Sequence, residues 1–148
     1  MLKSASKISK KMNYTTIFPV HPKTKKILDK IKYNKNLIKC TEPMNYFSFL
    51  NLLKYAKLAL SDSGGVQEEA CILKTPLVTI RNSTERPETL EIGCNILSKV
   101  KNKNLYEDAM KIIKSKISWR NPYGSGKASQ KSYYIINKFL NKNASKFY

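Results

Sequence analysis

Between two apolar runs the chain reads Leu58-Ala59-Leu60-Ser61-Asp62-Ser63-Gly64-Gly65-Val66-Gln67-Glu68-Glu69. A strand that ends in Asp-Ser-Gly-Gly and opens into a helix gathers free backbone N–H groups and the positive helix end at one point, a ready anion site. Gly64 and Gly65 carry no Cβ, so a diphosphate can approach the backbone, and the Ser63 hydroxyl is a further donor. Glu69 lies less than two helical turns beyond Ser63, where its carboxylate can accept hydrogen bonds from two sugar hydroxyls. Glu68 points about 100° away around the helix and reads as solvated or salt-bridged. The same residues also describe an ordinary corner, in which Ser63 caps the helix and the glycines make the turn.

A second stretch, Thr84-Glu85-Arg86-Pro87-Glu88, follows an apolar run. An arginine held in such a loop can neutralise a diphosphate, while Pro87 stiffens the chain. The plainer reading is an Arg86–Glu88 surface pair of little energetic consequence. His21, the single histidine, stands between a β-branched run and Pro22. There it can donate to a phosphate or act in acid–base work, or serve structurally. In Asn121-Pro122-Tyr123-Gly124-Ser125-Gly126-Lys127-Ala128-Ser129 the glycines predict a tight turn before a last helix. Lys127 and Ser129 read as turn and cap residues with ligand contact as the alternative.

The elements that must position these residues follow from periodicity. Strands are predicted over 14–20, 36–40, 57–61, 76–80 and 94–97, the fourth a continuous apolar run of the kind buried in parallel sheets. Helices are predicted after Pro22, over 43–55, 66–73, near 89–92, over 104–117 and over about 127–141. Alternation at this spacing defines an α/β fold, a single Rossmann-like domain with a mostly parallel sheet. Ligands of such sheets sit beyond the carboxyl ends of the strands. His21, Ser63-Gly64-Gly65 and the 81–88 loop all fall at that edge.

Composition sets the outer bounds. The 148 residues suit one domain, with residues 1–13 as a lead-in to the first strand. No apolar run approaches the ~20 residues of a membrane helix, and the basic opening leads into no signal-peptide core, so a cytoplasmic protein without membrane contact is expected. The net charge of +18 invites a nucleic-acid reading. Against it, 25 of the 28 basic residues are lysines spread over every segment, and only Arg81, Arg86 and Arg120 carry the bidentate fork. A non-catalytic module binding RNA or DNA is therefore the alternative rather than the leading reading. Six of the ten acids fall between 62 and 91, which assigns them local jobs. Cys40, Cys71 and Cys94 lack any paired spacing and read as free thiols, with no metal site and no cofactor.

Taken in order, "FPVHPKT", "SDSGGVQEEA", "RNSTERPETLEIG" and "NPYGSGKAS" resemble the non-hydrolysing UDP-N-acetylglucosamine 2-epimerase family. The resemblance runs from about Tyr14 to the final helix. It implies the C-terminal, UDP-binding half of a GT-B-type fold, with the catalytic N-terminal domain absent. It further implies that Ser63, Gly64 and Gly65 bind the diphosphate, that Glu69 holds the ribose hydroxyls, and that Arg86 contacts the phosphates. His21 matches the histidine needed for activity, and Phe49 falls where an aromatic lies near the uracil. The implied reaction inverts the sugar C2 centre by UDP elimination and re-addition. This chain alone is then expected to be inactive, with a UDP-sugar as ligand and a separately encoded N-terminal half or a homodimer as protein partners. A glycosyltransferase fragment of the same fold lacks the TERPE signature. Two departures stand out. Lys74 replaces a glycine expected in a left-handed C-cap, at a cost of about 1 kcal/mol, and Ser125 replaces an aspartate.

Overall fold

A computed structural model describes residues 1–99 and 104–143. Its elements are α1 (Leu2–Met12), β1 (Thr16–Pro19), α2 (Pro22–Leu28), β2 (Ile38–Thr41), α3 (Tyr46–Tyr55), β3 (Ala59–Ser61), α4 (Gly64–Leu73), β4 (Leu77–Thr79), α5 (Pro87–Glu91), β5 (Asn95–Leu97), α6 (Leu105–Lys114) and α7 (Ala128–Asn143). Each strand and helix predicted from periodicity is present with shifted ends: most are shorter, while β2 runs on to Thr41, α4 and α5 begin two residues earlier at Gly64 and Pro87, and α7 reaches Asn143. Every strand pairing is parallel, as the α/β reading expects. The pairs form two sheets, β1-β2 and β3-β4-β5, with no ladder joining them among the described residues.

β4 is the centre of the fold because its three side chains are all buried. Successive strand residues face opposite sides, and here the two sides are distinct cores. Val78 packs with Ile8, Leu105, Ala109 and Ile112 of α1 and α6. Leu77 packs on the other face with Leu53 of α3 and Ala70 of α4. The sheet is thus covered on both faces, the condition under which short parallel strands persist.

The lead-in is not a simple approach to β1. Residues 2–12 form a helix whose Ala5, Ile8 and Ser9 are buried, at the spacing of one helical face. Its lysines at 3, 7, 10 and 11 stay exposed. α1 touches α6, β1 and β2 and so bridges the two sheets. Asn13 closes it in the left-handed conformation at φ 55°.

Lys74 does occupy the left-handed C-cap of α4, at φ 64° and ψ 29°. Its ammonium donates to the Trp119 carbonyl and lies 5.7 Å from the Trp119 ring centroid. These contacts offset the backbone cost of a Cβ at that position. Removing the side chain in two ways separates the terms. Lys74→Gly is expected to be more stable than Lys74→Ala by about 1 kcal/mol, read from urea unfolding midpoints.

Trp119 also seals a third cluster, with Cys71 and Cys94 wholly buried against it and its indole N–H donating 3.0 Å to the Cys71 carbonyl. Burial pushes the Cys94 thiol up to about 12 and the Cys71 thiol up as well. Cys40 is exposed. A thiol reagent at about pH 8 is therefore expected to modify Cys40 alone in the native protein and all three thiols in urea. The buried pair also sets a pH limit. The unfolded chain releases the Cys94 proton near its ordinary 9.0, well before the folded protein does. Between those values the unfolded state binds fewer protons, so stability falls as pH rises above about 9.

Candidate functional site

β3 ends at Ser61 and α4 begins at Gly64, which leaves Asp62 and Ser63 to turn the corner at the carboxyl edge of the sheet. Ser63 is the N-cap, with extended backbone and its Oγ accepting from the Val66 amide at 3.5 Å. Its own amide is held by Ser61 Oγ at 3.1 Å. The capping reading of Ser63 is thus correct. It is compatible with anion binding because the first amides of a helix have no carbonyl one turn earlier to bond. A Cβ built on Gly64 meets nothing within 4 Å, and one on Gly65 meets only Ser63 Oγ at 3.9 Å. Neither glycine is demanded by packing or by a positive φ. They leave the helix start open.

The two glutamates diverge, as their helical positions dictate. Glu68 pairs with Arg86 Nε, both side chains about one-third exposed. The Arg86–Glu88 pair considered from sequence does not form; Arg86 Nη1 donates instead to the Glu85 carbonyl at 3.0 Å. Glu68 also holds the guanidinium more firmly protonated. Glu69 is half-buried on the α3 side of α4, where its charge pushes the Tyr46 phenol up. Ser63 therefore has Glu69 along one flank of its helix and the Arg86 loop along the other. Glu69 and Arg86 straddle the helix and do not touch.

Arg81 forms a bidentate pair with Glu85, both contacts 2.8 Å, and the guanidinium holds that carboxyl below its ordinary range. An open groove of about 620 Å³, lined by Asp62, Ile80, Arg81, Asn82 and Ser83, runs past the ends of β3 and β4.

His21 stands after β1, exposed, and caps α2 by accepting from the Lys23 amide through Nδ1 at 3.2 Å. That bond requires an unprotonated Nδ1, so Nε2 carries the proton of the neutral ring. Phe49 is half-buried and packs on the Leu53–Ala70–Leu77 cluster between α3 and α4. Gly124 and Gly126 adopt φ of +82° and +78°, as the predicted turn requires. That turn brings Tyr123 against the Cys71–Cys94–Trp119 cluster. Burial, then the nearby Glu88 carboxylate, raises the Tyr123 phenol.

Sequence reading passed over the group that joins these parts. Gln67, fully buried on α4, donates from Nε2 to the Ser63 carbonyl at 3.4 Å. Its Oε1 accepts from Thr84 Oγ1 at 2.5 Å and from Asn95 Nδ2 at 3.2 Å. The available signal was a polar residue on the same helical face as the buried Ala70 and Cys71.

These features define an α/β, Rossmann-like fold with parallel sheets, of the GT-B-like class. The particular family follows from comparison: a family model described as UDP-N-acetylglucosamine 2-epimerase matches residues 1–137, and the chain belongs to that family. It is 48% identical over 126 residues to the UDP-N-acetylglucosamine 2-epimerase of Methanocaldococcus jannaschii, a match covering 81% of this chain and 34% of the relative. It is 44% identical over 136 residues to the enzyme of that name from Methanococcus maripaludis, covering 88% of this chain and 37% of the relative. The crystal structure of the M. jannaschii enzyme in complex with UDP-GlcNAc and UDP superposes with a TM-score of 0.80 at 43% identity, over 92% of this chain and 39% of that one. The chain thus spans little more than a third of these relatives' length. None of these likenesses favours the nucleic-acid alternative. Among the described residues no helix is long and apolar enough to cross a membrane.

Proposed function

We propose that this chain is the UDP-binding, C-terminal part of a UDP-N-acetylglucosamine 2-epimerase, working in the cytoplasm on UDP-linked N-acetylhexosamines. The observation that carries the reading is the unobstructed start of α4. Two glycines put no side chain over it and have open space where a Cβ would stand, a serine hydroxyl stands at the cap, and an arginine loop is fastened to the same helix through Glu68. The M. jannaschii and Staphylococcus aureus structures it resembles are described as UDP complexes.

In this reading the amides of Gly64 and Gly65, with Ser63 Oγ, receive the diphosphate, and the helix end adds favourable potential. Arg86 stands on the phosphate side. Glu69, on the other flank, accepts the ribose hydroxyls, and Phe49 lies toward the uracil from α3. His21 acts from the end of β1, its protonated Nε2 available to a leaving phosphate oxygen. Cleavage of the C1–O bond transfers that electron pair to UDP, and positive charge at the site stabilises it as it leaves. Proton removal and return at C2 are carried by groups outside this chain, supplied by the remaining part of the fold or by a separate N-terminal partner. The apolar residues Ile135, Ile136 and Leu140 of α7, at 57–64% exposure, support an incomplete assembly. Homodimerisation is a further property of this reading.

Calorimetry with UDP tests it. Saturable binding of UDP, with no conversion of UDP-N-acetylglucosamine by this chain alone, is expected. Failure to bind UDP at millimolar concentration contradicts it.

A further inference from the structure

Arg86 is held by more than its side chain. Its amide donates to Thr84 Oγ1 at 3.0 Å, and its carbonyl accepts from Thr89 Oγ1 at 2.7 Å. Thr84 Oγ1 in turn donates a hydrogen bond to Gln67 Oε1 at 2.5 Å. Thr89 Oγ1 accepts from Asn95 Nδ2 at 3.0 Å, and the same amide nitrogen donates to Gln67 Oε1 at 3.2 Å. The bonds close a ring that runs from Gln67 through Thr84, the Arg86 peptide, Thr89 and Asn95 back to Gln67. Two further bonds anchor it: Gln67 Nε2 to the Ser63 carbonyl at 3.4 Å, and Thr79 Oγ1 to Asn95 Oδ1 at 2.9 Å. Gln67, Thr79, Thr89 and Asn95 are at most 3% exposed.

The donor assignment is forced around much of this ring. Thr84 accepts from a backbone amide, so its single proton goes to Gln67; Thr89 accepts from Asn95, so its proton goes to the Arg86 carbonyl. A buried network in which each hydroxyl has one consistent direction is rigid, because any rotation strands a polar group in low dielectric. A one-residue elongation of the 81–86 loop or a shift of α4 would break it.

We infer that Gln67 and Asn95 are positioning residues that fix the Arg86 peptide against the capped start of α4, so that guanidinium and helix amides are set in register before a diphosphate arrives. This rests on the UDP-binding reading above. Its chemistry is preorganisation: groups already held in place lose less freedom on binding. Neither Gln67 nor Asn95 is assigned a contact with the ligand.

The test uses Thr84, which is half-buried and can be changed with little effect on packing. Thr84→Val removes both ring bonds at near-constant shape, and Thr84→Ser keeps the hydroxyl. UDP and uridine affinities are measured by calorimetry, with amide hydrogen exchange on the ligand-free proteins. Thr84→Val is expected to bind UDP about tenfold more weakly with uridine affinity unchanged, and Thr84→Ser to bind both as the parent does. Equal losses for UDP and uridine, or no loss, overturn the inference, since the first is a general structural effect and the second leaves the ring without consequence. Should the parent chain bind no UDP, the functional reading fails by itself, and exchange decides the ring. Faster exchange at both Arg86 and Val66 in Thr84→Val supports it, and unchanged exchange at Val66 overturns it.

Discussion

Replacing Arg86 by alanine is expected to weaken UDP binding by about a hundredfold. A hydrogen bond to a charged group is worth roughly 1.5–3 kcal/mol, and a hundredfold change is about 2.7 kcal/mol. Two changes act in the same direction. The positive charge on the phosphate side is lost, and Glu68, now without its partner, presents a free carboxylate beside the diphosphate. Arg86→Lys restores the charge without the planar fork, and an intermediate loss of about tenfold is expected. Removing Glu68 as well relieves the like-charge term, so the Arg86→Ala, Glu68→Gln double variant is expected to bind more tightly than Arg86→Ala alone. Calorimetric titration of the four proteins checks the order. Equal affinity of Arg86→Ala and the parent chain would remove the guanidinium from the site.

The second large effect falls on stability. Gln67→Leu is expected to cost about 3 kcal/mol, because it removes a partner from three groups at once: the Ser63 carbonyl, the half-buried Thr84 hydroxyl and one of the two N–H groups of the buried Asn95 amide, whose nitrogen keeps its bond to Thr89 Oγ1. Each stranded group costs roughly 1–3 kcal/mol, discounted where it turns to water. For a domain of this size the melting temperature should drop by roughly 10 °C. Gln67→Glu distinguishes the hydrogen-bond pattern from simple volume. Burial raises the pKa of the new carboxyl, and only its protonated form can donate to the Ser63 carbonyl. Stability relative to the parent is therefore expected to recover as pH falls and to decline as pH rises through the raised pKa. A Gln67→Leu protein as stable as the parent in urea would show that the ring carries no net energy.

Much of the scaffold was legible because it rests on local rules. Pro76 to Ile80 reads as a buried parallel strand from its unbroken apolar run, and β4 is that strand. The Ser-Gly-Gly corner reads as a helix start, and Ser63 caps α4. Both depend on one residue's own conformational freedom or on its neighbours in sequence. Lys74 stands where the family resemblance, rather than a local rule, implies a left-handed C-cap, and its φ is 64°.

What was missed depends on which elements become neighbours. Periodicity shows that Glu68 and Glu69 point apart, and it leaves their partners open. Arg86 comes from a loop 18 positions on, Tyr46 from the preceding helix. The nearest-in-sequence choice, Glu88, makes no ion pair with Arg86, and its charge acts on the Tyr123 phenol as well. The separation into two sheets was equally hidden, since strand spacing gives alternation with helices and says nothing of which edges bond. Residues 1–13 hid a helix under seven serines and lysines between Leu2 and Met12, although Ala5, Ile8 and Ser9 hold one face. A buried glutamine inside an otherwise apolar stripe is the signal most easily overlooked, because its value appears only once its hydrogen-bond partners are in place.

The most direct measurement is amide NMR of the isotope-labelled chain during titration with UDP. The account predicts saturable shifts concentrated at Gly64, Gly65 and Val66, with further shifts at Glu69 and around Arg86. The lysine-lined cleft formed by α1 and Tyr33 should stay unmoved. Shifts confined to that basic cleft, with the start of α4 unaffected, would contradict it.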